Sequence, residues 1–285
     1  LKSLIKDNCF PKALMLSGEK GSGKFTLVSH LMHFLYDEKN YDIENYIINK
    51  KSHFHNQFVE GIFPNIIYLD SDKNNVKIEN IRNLKSTLIK SALNQNRRFI
   101  ILDDVEKLNL NSLNALLKLI EEPGKNYFIM INNRTKKILD TIKSRCIEIK
   151  ILLNETERKS ITHKLIEMFN QKCILDYEFA KISPGNFVKY NYIFDLYKIN
   201  LSENISKNLK QLIDIFKKEK DDYFKNIIFF YVEFYFFLKN TQKKKYSHHE
   251  LENKAFIFKN LNDFFLYNLN QDNLINSIES RILNE

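Results

Sequence analysis

One stretch, from Phe99 to Cys146, limits the folds open to this chain more than any other. It opens with an apolar run, Phe99-Ile100-Ile101-Leu102, that ends abruptly in Asp103 and Asp104. A short branched and aromatic run closing on acids is what a buried parallel strand looks like when its C-terminal end faces a ligand cleft. A helix is predicted next, started by Asn111 or Ser112, with Leu113, Leu116, Leu117 and Ile120 on its apolar face and Pro123-Gly124 as its stop. A second apolar run, Tyr127 to Ile131, ends in Asn132-Asn133. After another short helix come Ser144-Arg145-Cys146 and an alternating run from Ile147 to Leu153. Strand, helix, strand, helix, strand is the order of an open α/β sheet, with polar residues clustered where the strands end.

The same order begins upstream. Ala13-Leu14-Met15-Leu16 feeds Gly18-Glu19-Lys20-Gly21-Ser22-Gly23-Lys24, a turn that holds half of the chain's six glycines. Phe25, Leu27, Val28, Leu31, Met32 and Leu35 then give a helix its apolar face. Strand, Gly-rich loop and helix are the setting of a phosphate loop. Its glycines let backbone N–H groups converge on phosphate oxygens, the helix N-terminus adds partial positive charge, and Lys24 can reach the β and γ phosphates. The candidate nucleotide-binding residues of the loop and helix start are Gly18, Gly21, Gly23, Lys24 and Thr26. Phe25 departs from the pattern, because a hydroxyl that ligates Mg²⁺ belongs at its position. Thr26 does not replace that hydroxyl, since one step along a helix turns a side chain away by about 100°.

DDVEKLN, NALLKLIEEP, INN and TIKSRC, taken together, resemble the Walker B segment, the linking helix, sensor 1 and the SRC motif of bacterial clamp-loader AAA+ subunits. The resemblance implies roles. Asp103, Asp104 and Asn132 join the nucleotide-binding set, Asp103 as the Walker B acid and Asn132 or Asn133 at sensor 1, and Arg145 is an arginine finger supplied in trans to a neighbouring subunit's ATP. A planar, permanently charged guanidinium suits that task better than an ammonium. A structural ion pair of Arg145 with Glu148 or another acid is the plainer alternative. Two further positions depart from the family pattern. Asp104 stands where motor subunits carry Glu to polarise the attacking water, and Asn186 stands where an SPGR-type turn bears the sensor 2 arginine. With Phe25, these argue against ATP hydrolysis by this chain alone.

Val76 to Leu84 resembles a family segment that opens a helix, which makes Arg82 and Lys85, with Lys90, candidates for DNA-backbone contacts. A solvated basic face opposite a core face is the other reading. From Asp37 to Glu60 the sequence reads as polar and irregular. Many relatives carry a four-cysteine zinc module there, but this chain has no cysteine between Cys9 and Cys146. Zinc is therefore not expected, and His53 and His55 alone cannot close a tetrahedral shell.

The three cysteines show no CxxC spacing, which argues against a disulfide framework and fits a reducing cytoplasm. No signal-like amino terminus is present, and a start at Leu1 without Met is what a clipped reading frame leaves. The most apolar segment, Ile227 to Leu238, is interrupted by Glu233 and falls short of the roughly 20 residues of a membrane span, so a soluble cytoplasmic protein is expected. The net charge of +9 fits either a DNA-facing surface or a Lys-rich solvated one. The abundance of Asn, Ile, Phe and Tyr is a mixture that an AT-rich coding bias also produces.

After Lys150 the strand pattern stops. Asn154-Glu155-Thr156-Glu157 opens a helix, a second short helix and a Ser183-Pro184-Gly185 turn follow, and everything beyond about Asn200 reads as helix. Lys243-Lys244-Lys245 and His248-His249 read as an inter-helix loop.

The expected fold is α/β: a RecA-like AAA+ P-loop domain over residues 1–150, a small helical lid over 151–200 and an all-helical collar domain over 201–285. The resemblance implies a non-motor subunit of the DNA polymerase III clamp loader. Its partners would be the motor (tau/gamma) and delta subunits of a hetero-pentameric ring, the sliding clamp and primer-template DNA. The implied cofactor is ATP in a weak or vestigial site, with Mg²⁺ poorly served. Any polymerase activity would belong to the assembly. The alternative is an active AAA+ ATPase, either the motor subunit or another DNA-processing P-loop enzyme.

Overall fold

Alternation sends neighbouring side chains of a strand to opposite faces, so a sheet covered on both faces buries every residue of its apolar runs. The computed structural model, which describes residues 7, 9–70, 84, 97–176, 181–201, 204–243 and 248–283, has this arrangement. The chain divides into two compact units, residues 1–154 and 155–285. In the first, the chain runs β1 (Ala13–Ser17), α1 (Lys24–Tyr36), β2 (Tyr41–Asp42), β3 (Ile47–Ile48), α2 (His53–Glu60), β4 (Ile66–Asp70) and β5 (Arg98–Asp103). It continues with α3 (Leu110–Glu121), β6 (Asn126–Asn132), α4 (Asp140–Lys143) and β7 (Ile147–Lys150).

Five parallel strands lie in the order β4-β5-β6-β1-β7. Leu14, Leu16, Phe99, Ile101, Ile129 and Ile131 pack on one face with Val28 and Met32 of α1. Met15, Ile100, Leu102, Phe128 and Met130 pack on the other with Leu116 and Ile120 of α3 and Ile142 of α4. The register sets the strand ends in line, Asp70 beside Asp103 and Ser17 beside both Asn132 and Lys150. One edge of the sheet therefore gathers the polar strand ends.

Three boundaries differ from the sequence reading. Helix α3 begins at Leu110, because Asn109 is the cap and its Oδ1 accepts from the Ser112 amide at 2.8 Å. Residues 37–60 are not irregular. Tyr41–Asp42 and Ile47–Ile48 form a short antiparallel pair, and α2 is capped by Ser52 Oγ, which accepts from the His55 amide at 3.0 Å. Its Phe54 and Phe58, four residues apart, pack against the α1 side of the sheet, a face that the intervening polar residues conceal in the sequence. Strand β7 stops at Lys150, three residues early.

The second unit is helical: α5 (Glu155–Met168), α6 (Pro184–Leu196), α7 (Ile205–Glu219), α8 (Asp222–Lys243), α9 (His248–Tyr267) and α10 (Gln271–Leu283). Ser183-Pro184-Gly185 is a helix start rather than a turn. Ser183 is the extended N-cap of α6 and Pro184 its first residue, where the fixed φ of proline is already helical. Lys243 belongs to α8 and His248 to α9, not to a loop. Phe187 and Phe194 share one core with Ile227, Tyr231, Phe234 and Ile257. The boundary expected at residue 200 falls inside this unit, and its core draws on both sides of it. Buried Asn191 clasps the preceding segment, its Oδ1 accepting from the Ile174 and Leu175 amides and its Nδ2 donating to Lys172 O. Among the described residues no helix is long and apolar enough to cross a membrane.

Candidate functional site

The Gly-rich loop leaves β1 between β6 and β7 and turns into α1. Gly18 is dictated by space, because a Cβ there would lie 2.6 Å from the backbone oxygen of Ile151. Gly21 and Gly23 are dictated by conformation, with φ of 86° and 89°. The loop has the shape of a phosphate cradle, yet Lys24 is turned inward. Its Nζ donates to Gly18 O at 2.8 Å and Glu19 O at 2.6 Å, with Ser22 Oγ at 3.4 Å. The side chain is almost wholly buried, and burial lowers its pKa to about 8 against the upward pull of Asp103, Glu106 and Asp104.

The acids at the end of β5 are also engaged. Tyr68 of β4 donates to Asp103 Oδ2 at 3.1 Å, and Asp103 Oδ1 accepts the Asp104 amide at 2.8 Å. Burial raises the pKa of Asp103, the Asp104 charge adding to it while these two hydrogen bonds oppose. Asp104 has a left-handed backbone (φ 51°) and is buried. Its Oδ2 lies 3.2 Å from both Lys20 Nζ and Lys107 Nζ, while Oδ1 accepts from the Asn133 side-chain amide. Lys20 belongs to the Gly-rich loop, so this ion pair ties the loop to β5. Phe25, where a metal-ligating hydroxyl belongs, stacks on Phe58 (6.3 Å between centroids, 18° between planes) and meets Tyr68 edge-on at 5.5 Å. This donor set does not fit Mg²⁺, for it offers a phenyl ring, a carboxylate already accepting from a tyrosine, and a second carboxylate held by two ammonium groups.

Asn132 closes the end of β6. Its Nδ2 donates to Ser17 Oγ at 3.2 Å and its Oδ1 accepts from the Arg134 amide at 2.9 Å. The next turn is fixed by Glu106, which is buried and accepts from the Asn133 amide at 3.1 Å and from Thr135 Oγ1 at 2.9 Å. Thr26 is exposed on α1. Arg82, Lys85 and Lys90 lie outside the described residues.

Arg145 stands apart. It follows α4 in a turn, is 40% exposed in its side chain, and pairs with Glu121 at the end of α3, with Nε 2.6 Å from Oε1. Nη1 donates to Thr141 O at 3.1 Å. The partner is thus Glu121 and not Glu148. Sequence reasoning missed four residues here. Lys20, Glu106 and Glu121 all lie inside motifs already singled out, whereas Tyr68 carried no signal beyond its place near a strand end.

The parallel order, with a Gly-rich loop on β1 and an Asp-Asp end on β5, defines a RecA-like AAA+ P-loop module. Over its whole length the chain is similar in fold to a DNA polymerase III gamma subunit-related protein of Thermotoga maritima, with a TM-score of 0.53 and 16% identity over 98% of each chain. The sequence profile of the family described as "DNA polymerase III, delta subunit" matches residues 1–155, and the chain belongs to that family. The subunit delta' of Buchnera aphidicola subsp. Schizaphis graminum is 29% identical over 218 residues, covering 73% of this chain and 65% of that protein. The subunit gamma of the same organism is 29% identical over 150 residues, 51% of this chain and 39% of that one. The matches to these two Buchnera subunits therefore each span less than two thirds of the relative's own length.

Proposed function

We propose that the chain serves as a non-motor, stator-like subunit of a clamp loader, helping to place a sliding clamp on primed DNA. In this role it completes a neighbouring subunit's ATP site with Arg145. The observation that carries the reading is the contrast in how its charged groups are used. Lys24, Asp103 and Asp104 are satisfied within the chain, and Phe25 offers nothing to a metal. Arg145 is exposed and held by the Glu121 carboxylate, the Thr141 carbonyl and, at 3.4 Å, the Ser144 hydroxyl, a guanidinium oriented in advance for an incoming phosphate. Any nucleotide held by this chain would be bound weakly and would not be hydrolysed here. Ring neighbours would be motor (tau/gamma) and delta subunits.

The intact glycines and Lys24 support the motor reading, and one experiment separates the two. Steady-state ATP hydrolysis is measured for the chain alone and for the mixture with motor and delta subunits, clamp and primed DNA. Wild type, Lys24→Ala and Arg145→Ala are compared. A silent chain, with a mixture that loses rate only on Arg145→Ala, supports the stator. Hydrolysis by the chain alone that Lys24→Ala abolishes overturns it in favour of the motor.

A further inference from the structure

The short hairpin of β2 and β3 has two ends of different chemistry. Strand alternation sends Tyr41 and its partner Ile48 inward, where both pack on the α1 side of the sheet and the Tyr41 hydroxyl meets His30 Nδ1 at 3.2 Å. Asp42 and its partner Ile47 therefore face away from that core. At the tip, Ile43, Tyr46 and Ile47 are large apolar side chains exposed by 38%, 61% and 59%. At the base, Lys39, Lys50 and Lys51 line a groove of about 670 Å³ with Tyr41, Ile47 and Ile48. All three lysines are exposed, and among the described residues none has an ion-pair partner.

The turn is ordered from within. Asp42 Oδ1 accepts from the Glu44 and Asn45 amides at 2.9 Å, and its Oδ2 from Asn45 Nδ2 at 2.8 Å, so the one carboxylate of the groove lining is committed to its own turn. Tyr46 has φ of 55°, a conformation that persists in a bulky residue only where surrounding contacts impose it. Exposed apolar side chains clustered in this way mark contact surfaces, whereas single scattered ones do not. Among the described residues β2 and β3 pair only with each other, so each keeps one edge outside the ladder, where an extended chain can lie. The pattern also selects the occupant. Lys50 and Ile47 are three residues apart, about 10 Å along an extended chain. A segment with acids at one end and an apolar side chain a few residues further on meets both ends of the hairpin. A nucleic acid fits less well, because its phosphates would continue to the tip, where Asp42 and Glu44 carry the same charge.

We propose that the β2–β3 hairpin docks an extended acidic segment of a partner protein, its carboxylates on Lys39, Lys50 and Lys51 and an apolar side chain beside Ile47 and Tyr46. The docking surface is independent of the clamp-loader role. The test is fluorescence anisotropy with the full chain and a labelled peptide of four aspartates followed by Val-Thr-Val-Phe. Lys50→Ala/Lys51→Ala should bind it about five- to tenfold more weakly at low salt, a difference that shrinks as NaCl screens the exposed charges. Ile47→Thr, which keeps a β-branched residue in the strand, should weaken binding about fivefold at every salt concentration. Lys164→Ala/Lys172→Ala removes the same charge from exposed positions of the helical unit and should change binding by less than about twofold, with thermal melts showing that all variants fold. No saturable binding by wild type, equal losses in the Lys164→Ala/Lys172→Ala control, or equal affinity for a peptide with asparagine in place of each aspartate would each overturn the proposal. Tighter binding of an oligothymidylate of the same charge, lost in Lys50→Ala/Lys51→Ala, would overturn it in favour of a nucleic-acid surface.

Discussion

The Gly-rich loop and the turn at Arg145 belong to the same sheet module, and they spend their charges in opposite ways. At the loop, an ammonium is buried among backbone carbonyls, and a Walker-type acid is neutralised by Lys20 and Lys107. At the turn, a guanidinium stays at the surface with one exposed carboxylate as its partner. Buried charges that are fully paired act as internal ties, whereas exposed ones remain available to a ligand. Under the proposed function, the phosphate-loop shape serves the chain's own cohesion and the outward chemistry falls to the turn that precedes β7.

The contrast is most easily broken at Arg145. Arg145→Ala should lower single-turnover hydrolysis at the neighbouring site by about 10³-fold, the scale of other arginine fingers. Retention of that rate would leave Arg145 as only a structural partner of Glu121. The inward half of the contrast is tested by pH. Burial sets Lys24 at about 8, below its ordinary 10.5. The unfolded chain therefore holds the extra proton between those values, so stability should rise with pH across that window, and the charged lysine is a burden below it. Denaturant unfolding at both ends of the window should show wild type gaining up to about 3 kcal/mol relative to Lys24→Met. Parallel curves for the two proteins would mean that Lys24 is solvated, and the loop open.

The α/β module was legible because its strands are apolar runs that stop at polar residues, and three of these stops coincide with strand ends: Ser17, Asp103, Asn132. Phe25 and Asp104 were legible as departures. Their consequences were not, because those depend on contacts between distant segments: Tyr68 reaching Asp103 from 35 residues away, or Lys20 reaching Asp104 from 84. Helix α2 was hidden for a different reason. Its apolar face is only Phe54 and Phe58, too short a period to stand out in a polar stretch. The start of α6 shows a motif misread by analogy, since Ser-Pro-Gly suits a helix N-terminus as well as a turn.

A smaller effect sharpens the outward half. Glu121→Gln keeps a hydrogen-bond acceptor for Arg145 and removes the charge that orients it. An exposed pair of this kind contributes about 0.2–1 kcal/mol. Hydrolysis at the neighbouring site should fall about two- to fivefold through kcat, with KM unchanged. A loss as large as that of Arg145→Ala would show that Glu121 does more than orient, and no loss would show that phosphate alone orients the arginine.

The smallest expected effect is the most exacting test of the inward half. Phe25→Thr restores a hydroxyl where a metal ligand belongs, at an exposed position where the ring stacks on Phe58 and meets Tyr68 edge-on. If Phe25 alone silenced the site, this change would be expected to bring ATP hydrolysis to the isolated chain. The neighbouring groups argue otherwise. Asp103 would still accept from Tyr68, Asp104 would still be held by Lys20, Lys107 and Asn133, and Lys24 would still face its own loop carbonyls. Hydrolysis by Phe25→Thr should therefore stay at background, and only the combination with Lys20→Ala and Tyr68→Phe loosens the hold on both acids. Turnover in the single variant would mean that the ties among these groups open readily in solution, and the contrast between a closed loop and an open arginine would reduce to one missing hydroxyl.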